Sequence, residues 1–175
     1  MSSVWAINPD PFMATLPNPH EAVGIALGSN LGDRHAEIRA GFAFLDSLDI
    51  NAHARRSGVI ETLPVDCQPG DPVFLNAVAE IHFSGEPREL LRRLQAFERE
   101  RGRLPSGERP VNAPRSLDLD ILYFGQRRID ETDLTVPHPR TTQRRFVLEP
   151  LAQIRPDLIL PGQNKSVAEL LADCP

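Results

Sequence analysis

Two aspartates lie two residues apart in the segment Arg115–Leu122, which is otherwise rich in Leu and Ile. Successive side chains of a β-strand alternate between its two faces, so Asp118 and Asp120 are predicted to share one face. Neighbouring carboxylates repel each other unless a cation lies between them. Mg²⁺ takes oxygen ligands, often one or two carboxylates together with substrate phosphates. The pattern therefore indicates a candidate site for a divalent metal and phosphate, although so short a motif more often marks a solvated strand face.

Two arginines flank the aspartates. Arg115 leads into the predicted strand, and Arg103 lies at the end of the helix predicted before it. A guanidinium group stays charged and binds phosphate oxygens in bidentate fashion. Two carboxylates and two arginines are suited to phosphoryl transfer, because that chemistry depends chiefly on positioning and charge neutralisation. The sequence has no GxxxxGK[ST] loop, no GxGxxG loop and no protein-kinase motif, so ATP would have to bind by another architecture.

Further side chains could contact a planar or phosphorylated ligand. His138, in the rigid segment Val136–Arg140, could donate to a phosphate or nucleobase, although a lone histidine is more often structural. Phe74 and Phe146 could stack on a planar ligand, although such aromatics more often belong to the core. Asn76 shares a predicted strand face with Phe74, and its amide can match an edge of donors and acceptors. These residues would extend the candidate site to a second strand.

Hydrophobic periodicity indicates the elements that must position these residues. The turn Gly28–Gly32 precedes a helix for which Asp33 is a suitable N-cap, and Pro87 and Gly102 delimit a second helix. Prolines and glycines predict long loops at 63–72 and 104–113. The predicted strands are 22–27, 50–61, 74–83 and 117–124, and the predicted helices are 34–48, 87–102, 146–154 and a short turn at 167–171.

The order strand, helix, strand, strand, helix, strand is the split βαβ pattern of ferredoxin-like folds. We therefore predict an α+β fold, a ferredoxin-like α/β sandwich in which helices pack on an antiparallel sheet. Two helices would cover one face of the sheet, and the other face would be free to carry the site.

The composition is typical of a globular protein. The chain has 175 residues, 41% of them apolar, and a formal net charge of −5. We expect one domain at 21–175 after an irregular arm at 1–20. The acidic balance argues against nucleic acid held by bulk charge, and the lack of a long apolar run argues against a membrane span. Cys67 and Cys174 lack metal-site spacing and fit a reducing compartment, so we expect a cytoplasmic protein. We also expect a monomer whose partners are small molecules.

Five segments carry a family resemblance: IALGSNLGDR, ETLP followed by VFLNAV, FERERGR, APRSLDLDILYFG, and LTVPHPR with RRFVLEPL. The segments cover roughly residues 22–161. In their sequence and in their order the chain resembles the 6-hydroxymethyl-7,8-dihydropterin pyrophosphokinase family. The resemblance implies a ferredoxin-like α/β sandwich with ATP as co-substrate and two Mg²⁺ ions. It also implies the reaction: the β,γ-pyrophosphoryl group of ATP is transferred to the pterin hydroxymethyl group, with release of AMP, in folate biosynthesis.

The resemblance also implies roles by matched position. Asp118 and Asp120 are expected to bind the two Mg²⁺ ions, and Arg103 and Arg115 to be the catalytic arginines. Five residues are expected to hold the pterin: Thr62, Val65, Phe74, Asn76 and Phe146. Among them, Asn76 would form hydrogen bonds and Phe146 would stack on the ring. The ATP-binding positions are Gln95, Glu98, Ile121, Thr135, His138 and Arg144.

The chain departs from the family pattern at several positions. Family members often carry a Trp beside the pterin, whereas residues 108–113 contain none. Leu104–Ser106 replaces basic residues, and Asp133 stands where some members have an Arg near ATP. We therefore expect the closure of the site over the pterin and the affinity for the nucleotide to differ in detail from those of other family members.

Two alternatives remain open at this point, because one fold hosts many functions. A nucleotidyl transferase could use the paired aspartates, and it would release pyrophosphate rather than AMP. A non-catalytic module could bind ATP without any pterin-dependent step.

Overall fold

The computed structural model describes residues 20–51, 54–63, 72–103 and 114–175. The predicted arm lies outside the described residues except for His20. Val65, most of the predicted loop at 63–72 and all of the predicted loop at 104–113 also lie outside them. Within the described ranges, no helix combines the length and hydropathy that a membrane span requires.

A five-stranded antiparallel sheet forms the centre of the protein. Its strands are β1 (Glu21–Ser29), β2 (Arg55–Arg56), β3 (Ile60–Thr62), β4 (Phe74–Phe83) and β5 (Asp118–Phe124). Strand β1 lies between β4 and β5, and both β2 and β3 pair with β4. A separate ribbon contains β6 (Ile129–Glu131) and β7 (Leu134–Val136). The antiparallel pairing of the sheet confirms the predicted α+β fold.

Four α-helices accompany the sheet in the described part of the chain. They are α1 (Arg34–Leu48), α2 (Pro87–Glu100), α3 (Arg145–Ile154) and α4 (Val167–Asp173). The carboxylate of Asp33 accepts a hydrogen bond of 2.9 Å from the N–H of Ala36, so the predicted N-cap of α1 is confirmed. Gly102 adopts φ = 85° shortly after α2, a conformation that favours glycine and stops the helix near the predicted residue.

The two faces of the sheet carry separate hydrophobic clusters. Alternate residues of β1, such as Val23 and Ile25, pack with Leu45 of α1 and Leu94 of α2. On the opposite face, α3 and α4 contribute a second cluster. The expectation that this second face would be free is therefore wrong in part, because the apolar stripe of α3 covers one portion of it. The uncovered portion carries the site described below.

Two local irregularities depart from the predicted strands. The strand predicted at 50–61 is divided into β2 and β3, because Ser57 pairs with Val78 through its side chain. The N–H of Ser57 donates to the carbonyl of Val78, and the hydroxyl of Ser57 accepts from the N–H of Val78, both at 2.9 Å. In β5, Leu122 is an extra residue in the pairing with β1, a β-bulge that interrupts strict alternation.

Candidate active site

Asp118 and Asp120 lie on the face of β5 that is not covered by α1 and α2. Both line one pocket, as the alternation predicted. Leu119, between them, is buried in the opposite hydrophobic cluster. The packing of that apolar side fixes the register of β5, so both carboxylates are held on one face by the rigid sheet.

Asp118 is held between the two arginines. Its Oδ1 lies 2.5 Å from Nη1 of Arg103, and its Oδ2 lies 2.9 Å from Nη1 of Arg115. All three side chains are largely buried. Charge-assisted contacts of this kind are strong and directional, so the three groups form a preorganised cluster.

Glu98 is a second carboxylate that contacts Arg103, at the same nitrogen as Asp118. Its Oε1 contacts Nη1 of Arg103 and accepts a hydrogen bond of 2.7 Å from the N–H of Leu119. Burial, and then the negative charge of Asp118, raise the pKa of Glu98 to about 7. Glu98 therefore links α2 to β5 and holds the arginine against the strand that carries Asp118 and Asp120.

Asp120 differs from Asp118 in its contacts. Among the residues that the structure describes, it has no hydrogen-bond or ion-pair partner, although it is only partly exposed. Burial, and then the charge of Asp118, raise its pKa to about 6, against the opposing effect of Arg103 and two other arginines. A carboxylate whose oxygens are not engaged by protein groups and face a pocket fits the donor chemistry of Mg²⁺. In the described ranges no cluster of three or more His, Cys, Asp or Glu side chains is arranged for a metal, so substrate oxygens would have to complete the coordination.

The wall formed by β3 and β4 can accommodate a planar ligand. The amide Nδ2 of Asn76 donates a hydrogen bond of 2.8 Å to Oγ1 of Thr62, which fixes the orientation of the amide. Phe74 lies on the same strand face, and the guanidinium carbon of Arg115 is 5.8 Å from its ring centroid. An aromatic ring and an oriented amide can together bind the face and the edge of a heterocycle.

Another part of the pocket lining is positively charged. It contains His138, Arg140 and Arg144, and the guanidinium carbon of Arg144 lies 5.4 Å from the ring centroid of Phe146. Burial, and then the charges of Arg144 and Arg140, lower the pKa of His138 to about 4. Burial and Arg140 also lower the pKa of Arg144. His138 is therefore neutral at neutral pH, beside two cations that would favour an anionic ligand.

The pocket brings together most of the predicted site residues. It is lined by Thr62, Phe74, Asn76, Arg115, Asp118, Asp120, His138, Arg144 and Phe146. Arg103 reaches the pocket through Asp118, and Glu98 lies behind Arg103. Gln95, Ile121 and Thr135 do not line the pocket, and Ile121 is buried in the cluster beneath α1 and α2. Their roles toward ATP stay predictions, as does that of Val65, which lies outside the described residues.

Sequence reasoning missed other lining residues. Arg140 is the most consequential of them, and it stands in the same Val136–Arg140 segment as the predicted His138. The remainder are apolar or small side chains that carry no chemical signal: Ala26, Leu27, Gly28, Leu63, Ala77, Leu122 and Val147.

Comparison with known proteins supports the predicted family. A 2-amino-4-hydroxy-6-hydroxymethyldihydropteridine pyrophosphokinase of Pseudomonas aeruginosa is 40% identical over 157 residues, which cover 89% of this chain and 93% of that protein. An enzyme of the same name from Bacillus subtilis is 44% identical over 74% of this chain and 75% of its own length. A crystal structure of Plasmodium falciparum HPPK-DHPS has a similar fold, with a TM-score of 0.66 at 13% identity, over 91% of this chain.

Some similar proteins are much longer. The chain spans 20% of the folic acid synthesis protein fol1 of Pneumocystis carinii, to which it is 38% identical, and 44% of the Plasmodium falciparum chain. Residues 24–156 match the family described as 7,8-dihydro-6-hydroxymethylpterin-pyrophosphokinase. The predicted family is thereby confirmed: the chain belongs to the 7,8-dihydro-6-hydroxymethylpterin-pyrophosphokinase family.

Proposed function

We propose that the protein transfers the β,γ-pyrophosphoryl group of ATP to the hydroxymethyl group of 6-hydroxymethyl-7,8-dihydropterin and releases AMP, in folate biosynthesis. Family membership and relatives at about 40% identity support the activity. The observation from the structure that carries the proposal is the single pocket in which paired aspartates, arginines and a Phe–Asn wall meet. Each substrate has a matching surface there: the charged half suits the triphosphate, and the β3–β4 wall suits the pterin.

Asp118 and Asp120 are the residues that would hold Mg²⁺, and the resemblance to the family suggests two ions. Asp120 offers oxygens that no described protein group engages, whereas Asp118 would exchange its arginines for the cation. When bound, the metal would neutralise phosphate oxygens and make the β-phosphorus a better electrophile.

Arg103 and Arg115 are placed to bind the phosphates. In the transfer, the hydroxymethyl oxygen forms a bond to the β-phosphorus and loses its proton to solvent, while the bond from that phosphorus to the α,β-bridging oxygen breaks. The electron pair leaves on AMP. Guanidinium groups that leave Asp118 for the phosphates would stabilise the charge that develops on the transferred group. Glu98 would keep Arg103 in place while this exchange occurs.

The pterin would lie against the β3–β4 wall. Asn76 is oriented by Thr62 and would bind the heterocycle edge, with Phe74 and Phe146 on its faces. Neutral His138, together with Arg144, would contact the nucleotide from the positively charged part of the lining. The predictions of a monomer, of a cytoplasmic location and of no nucleic-acid partner belong to this proposal and rest on composition alone.

The test is a product analysis with purified protein, ATP, Mg²⁺ and the hydroxymethyl-dihydropterin. We expect pterin-dependent AMP in equal amount to pyrophosphorylated pterin. Arg115→Met should reduce the rate by about 100-fold or more, in line with the removal of a group that stabilises transition-state charge. Arg39→Met, at an exposed position of α1, is the matched control and should retain the wild-type rate. Release of pyrophosphate or ADP, or AMP formation that does not depend on pterin, would overturn the proposal.

A further inference from the structure

Asn30, at the centre of the segment Gly28–Gly32, has no role in the site described so far, yet it is deeply buried. Asn30 follows β1 and is 1% exposed. Its backbone N–H donates a hydrogen bond of 3.1 Å to the carbonyl of Arg115, and its side-chain Oδ1 accepts one of 2.8 Å from the N–H of Arg115. One residue therefore binds both backbone polar groups of an arginine that is 85 positions away.

These two bonds continue the sheet beyond its regular pairing. The ladder between β1 and β5 ends where Gly28 pairs with Asp118. Beyond that point the amide oxygen of Asn30 takes the place of a strand carbonyl. A side chain can bond at an offset that a regular strand cannot reach, which allows the backbone to leave the strand direction at Arg115.

The position of the Arg115 backbone decides where its guanidinium group lies. That group is 2.9 Å from Asp118 and stacks near Phe74, so it joins the carboxylate side of the pocket to its aromatic wall. A fixed backbone limits the rotamers that can reach both. A shift of about 1 Å in a positioning group can reduce turnover by about 100-fold.

The amide is also the suitable side chain for this position. Nδ2 of Asn30 is buried and has no hydrogen-bond partner among the described residues, so within those residues the amide bonds through its oxygen alone. An aspartate would supply the same acceptor without a buried donor, but it would add a third negative charge close to Asp118. Asparagine gives a strong neutral acceptor in a region where phosphate must bind.

We propose that Asn30 is a positioning residue that sets Arg115 for pyrophosphoryl transfer. The inference rests on the proposed function, because it assigns Asn30 an effect on the same reaction.

A double-mutant cycle tests this role. Asn30→Ala should lower kcat by about 10- to 100-fold, with the KM for ATP and pterin changing much less. In an Arg115→Ala background the same substitution should change kcat by less than about twofold, because there is no guanidinium group left to position. Ser29→Ala is the matched control: its buried hydroxyl also has no described partner, and the variant should retain the wild-type kcat. Equal losses from Asn30→Ala in both backgrounds, or no loss in either, would overturn the inference.

A second variant covers the case in which Asn30→Ala does not fold. Asn30→Asp keeps the shape and the acceptor but brings a negative charge to Arg115. It should lower kcat in the wild-type background and leave kcat nearly unchanged in the Arg115→Ala background. Equal effects in the two backgrounds would again refute the role. If the wild-type protein forms no pterin-dependent AMP, the proposed function fails; if it is active and the losses are additive, only the inference about Asn30 fails.

Discussion

Replacing Asp120 with Asn should stabilise the metal-free protein while it abolishes turnover. In the folded state the carboxylate of Asp120 is partly buried, lies close to Asp118 and has no described hydrogen-bond or ion-pair partner. Its ionised form is therefore disfavoured by folding. Asparagine has nearly the same shape and no charge, so it would remove this cost, and it would also remove one of the carboxylate oxygens that we propose to bind the cation.

The size of the effect follows from the pKa. Burial, and then Asp118, raise the pKa of Asp120 from 3.8 to about 6. A difference of that size corresponds to about 3 kcal/mol against the ionised group in the folded state, and residual solvent contact reduces it to about 2 kcal/mol. Because the folded-state pKa is raised, the penalty is fully present above pH 6 and is lost as the pH falls toward 3.8. The variant should therefore gain about 2 kcal/mol at pH 8 and little at pH 4.

Urea denaturation with a chelator at these two pH values measures the gain, and pterin-dependent AMP release with Mg²⁺ measures activity. We expect activity to fall by about 100-fold or more. Asp118→Asn gives the contrast: it deprives two arginines of their carboxylate, so it should lower both stability and activity. If Asp120→Asn destabilises the protein equally at both pH values, or if it retains wild-type activity, the assignment of Asp120 as an unpaired metal ligand is refuted.

The remaining predictions concern buried groups around and beneath the site. Arg155→Met should lower the free energy of unfolding by about 3 kcal/mol in urea denaturation, because it removes the two 2.9 Å contacts to the buried carboxylate of Glu80. A Glu80→Gln/Arg155→Met double variant should recover part of this loss. A loss in the double variant equal to the sum of the two single losses would contradict the pairing. His138→Gln should become more stable relative to wild type as the pH falls from 6.5 toward 4, because the pKa of His138 is lowered to about 4 and its protonation opposes folding; parallel melts at pH 7 and 5 check the sign. Gly24→Ala should cost about 2 kcal/mol, because its Cβ would lie 2.1 Å from the buried ring of Tyr123, and an unchanged Tm would contradict that contact.

Local patterns predicted much of the fold. Alternating apolar residues identified β1, β4 and β5, and the Asp33 cap and helical periodicity placed α1 within its observed bounds. The side-chain alternation of β5 also put Asp118 and Asp120 on one face, which the structure confirms. These features depend on neighbours within a few positions, so a single sequence carries them.

The features that escaped prediction depend on distant partners. Ser57 divides a predicted strand through a hydrogen bond to Val78. Helix α3 covers part of the second face of the sheet, and its short apolar stripe does not indicate in the sequence which face it will cover. The two hydrogen bonds between Asn30 and Arg115 join the residue after β1 to a residue just before β5, the first and last strands of the sheet along the chain. Asparagine is common in turns, where its side chain usually bonds to nearby backbone. The sequence alone therefore does not predict that this acceptor binds a distant donor.

The arrangement of charges in the site predicts that the binding of phosphate and the binding of a cation depend on each other. Without phosphate, the arginines neutralise Asp118, while Asp120 is not engaged by any described protein group. Arg103 has a second carboxylate in Glu98, so it can release Asp118 without losing all compensation, whereas Arg115 has its backbone fixed by Asn30. A cation alone would have to displace both arginines from Asp118, and a phosphate alone would have to approach two carboxylates. Only the pair would satisfy every charge, because the carboxylates would hold the cation while the guanidinium groups would hold the phosphates. We therefore expect nucleotide and Mg²⁺ to bind with positive coupling, and a wild-type affinity for ATP that is unchanged by Mg²⁺ would refute this charge exchange.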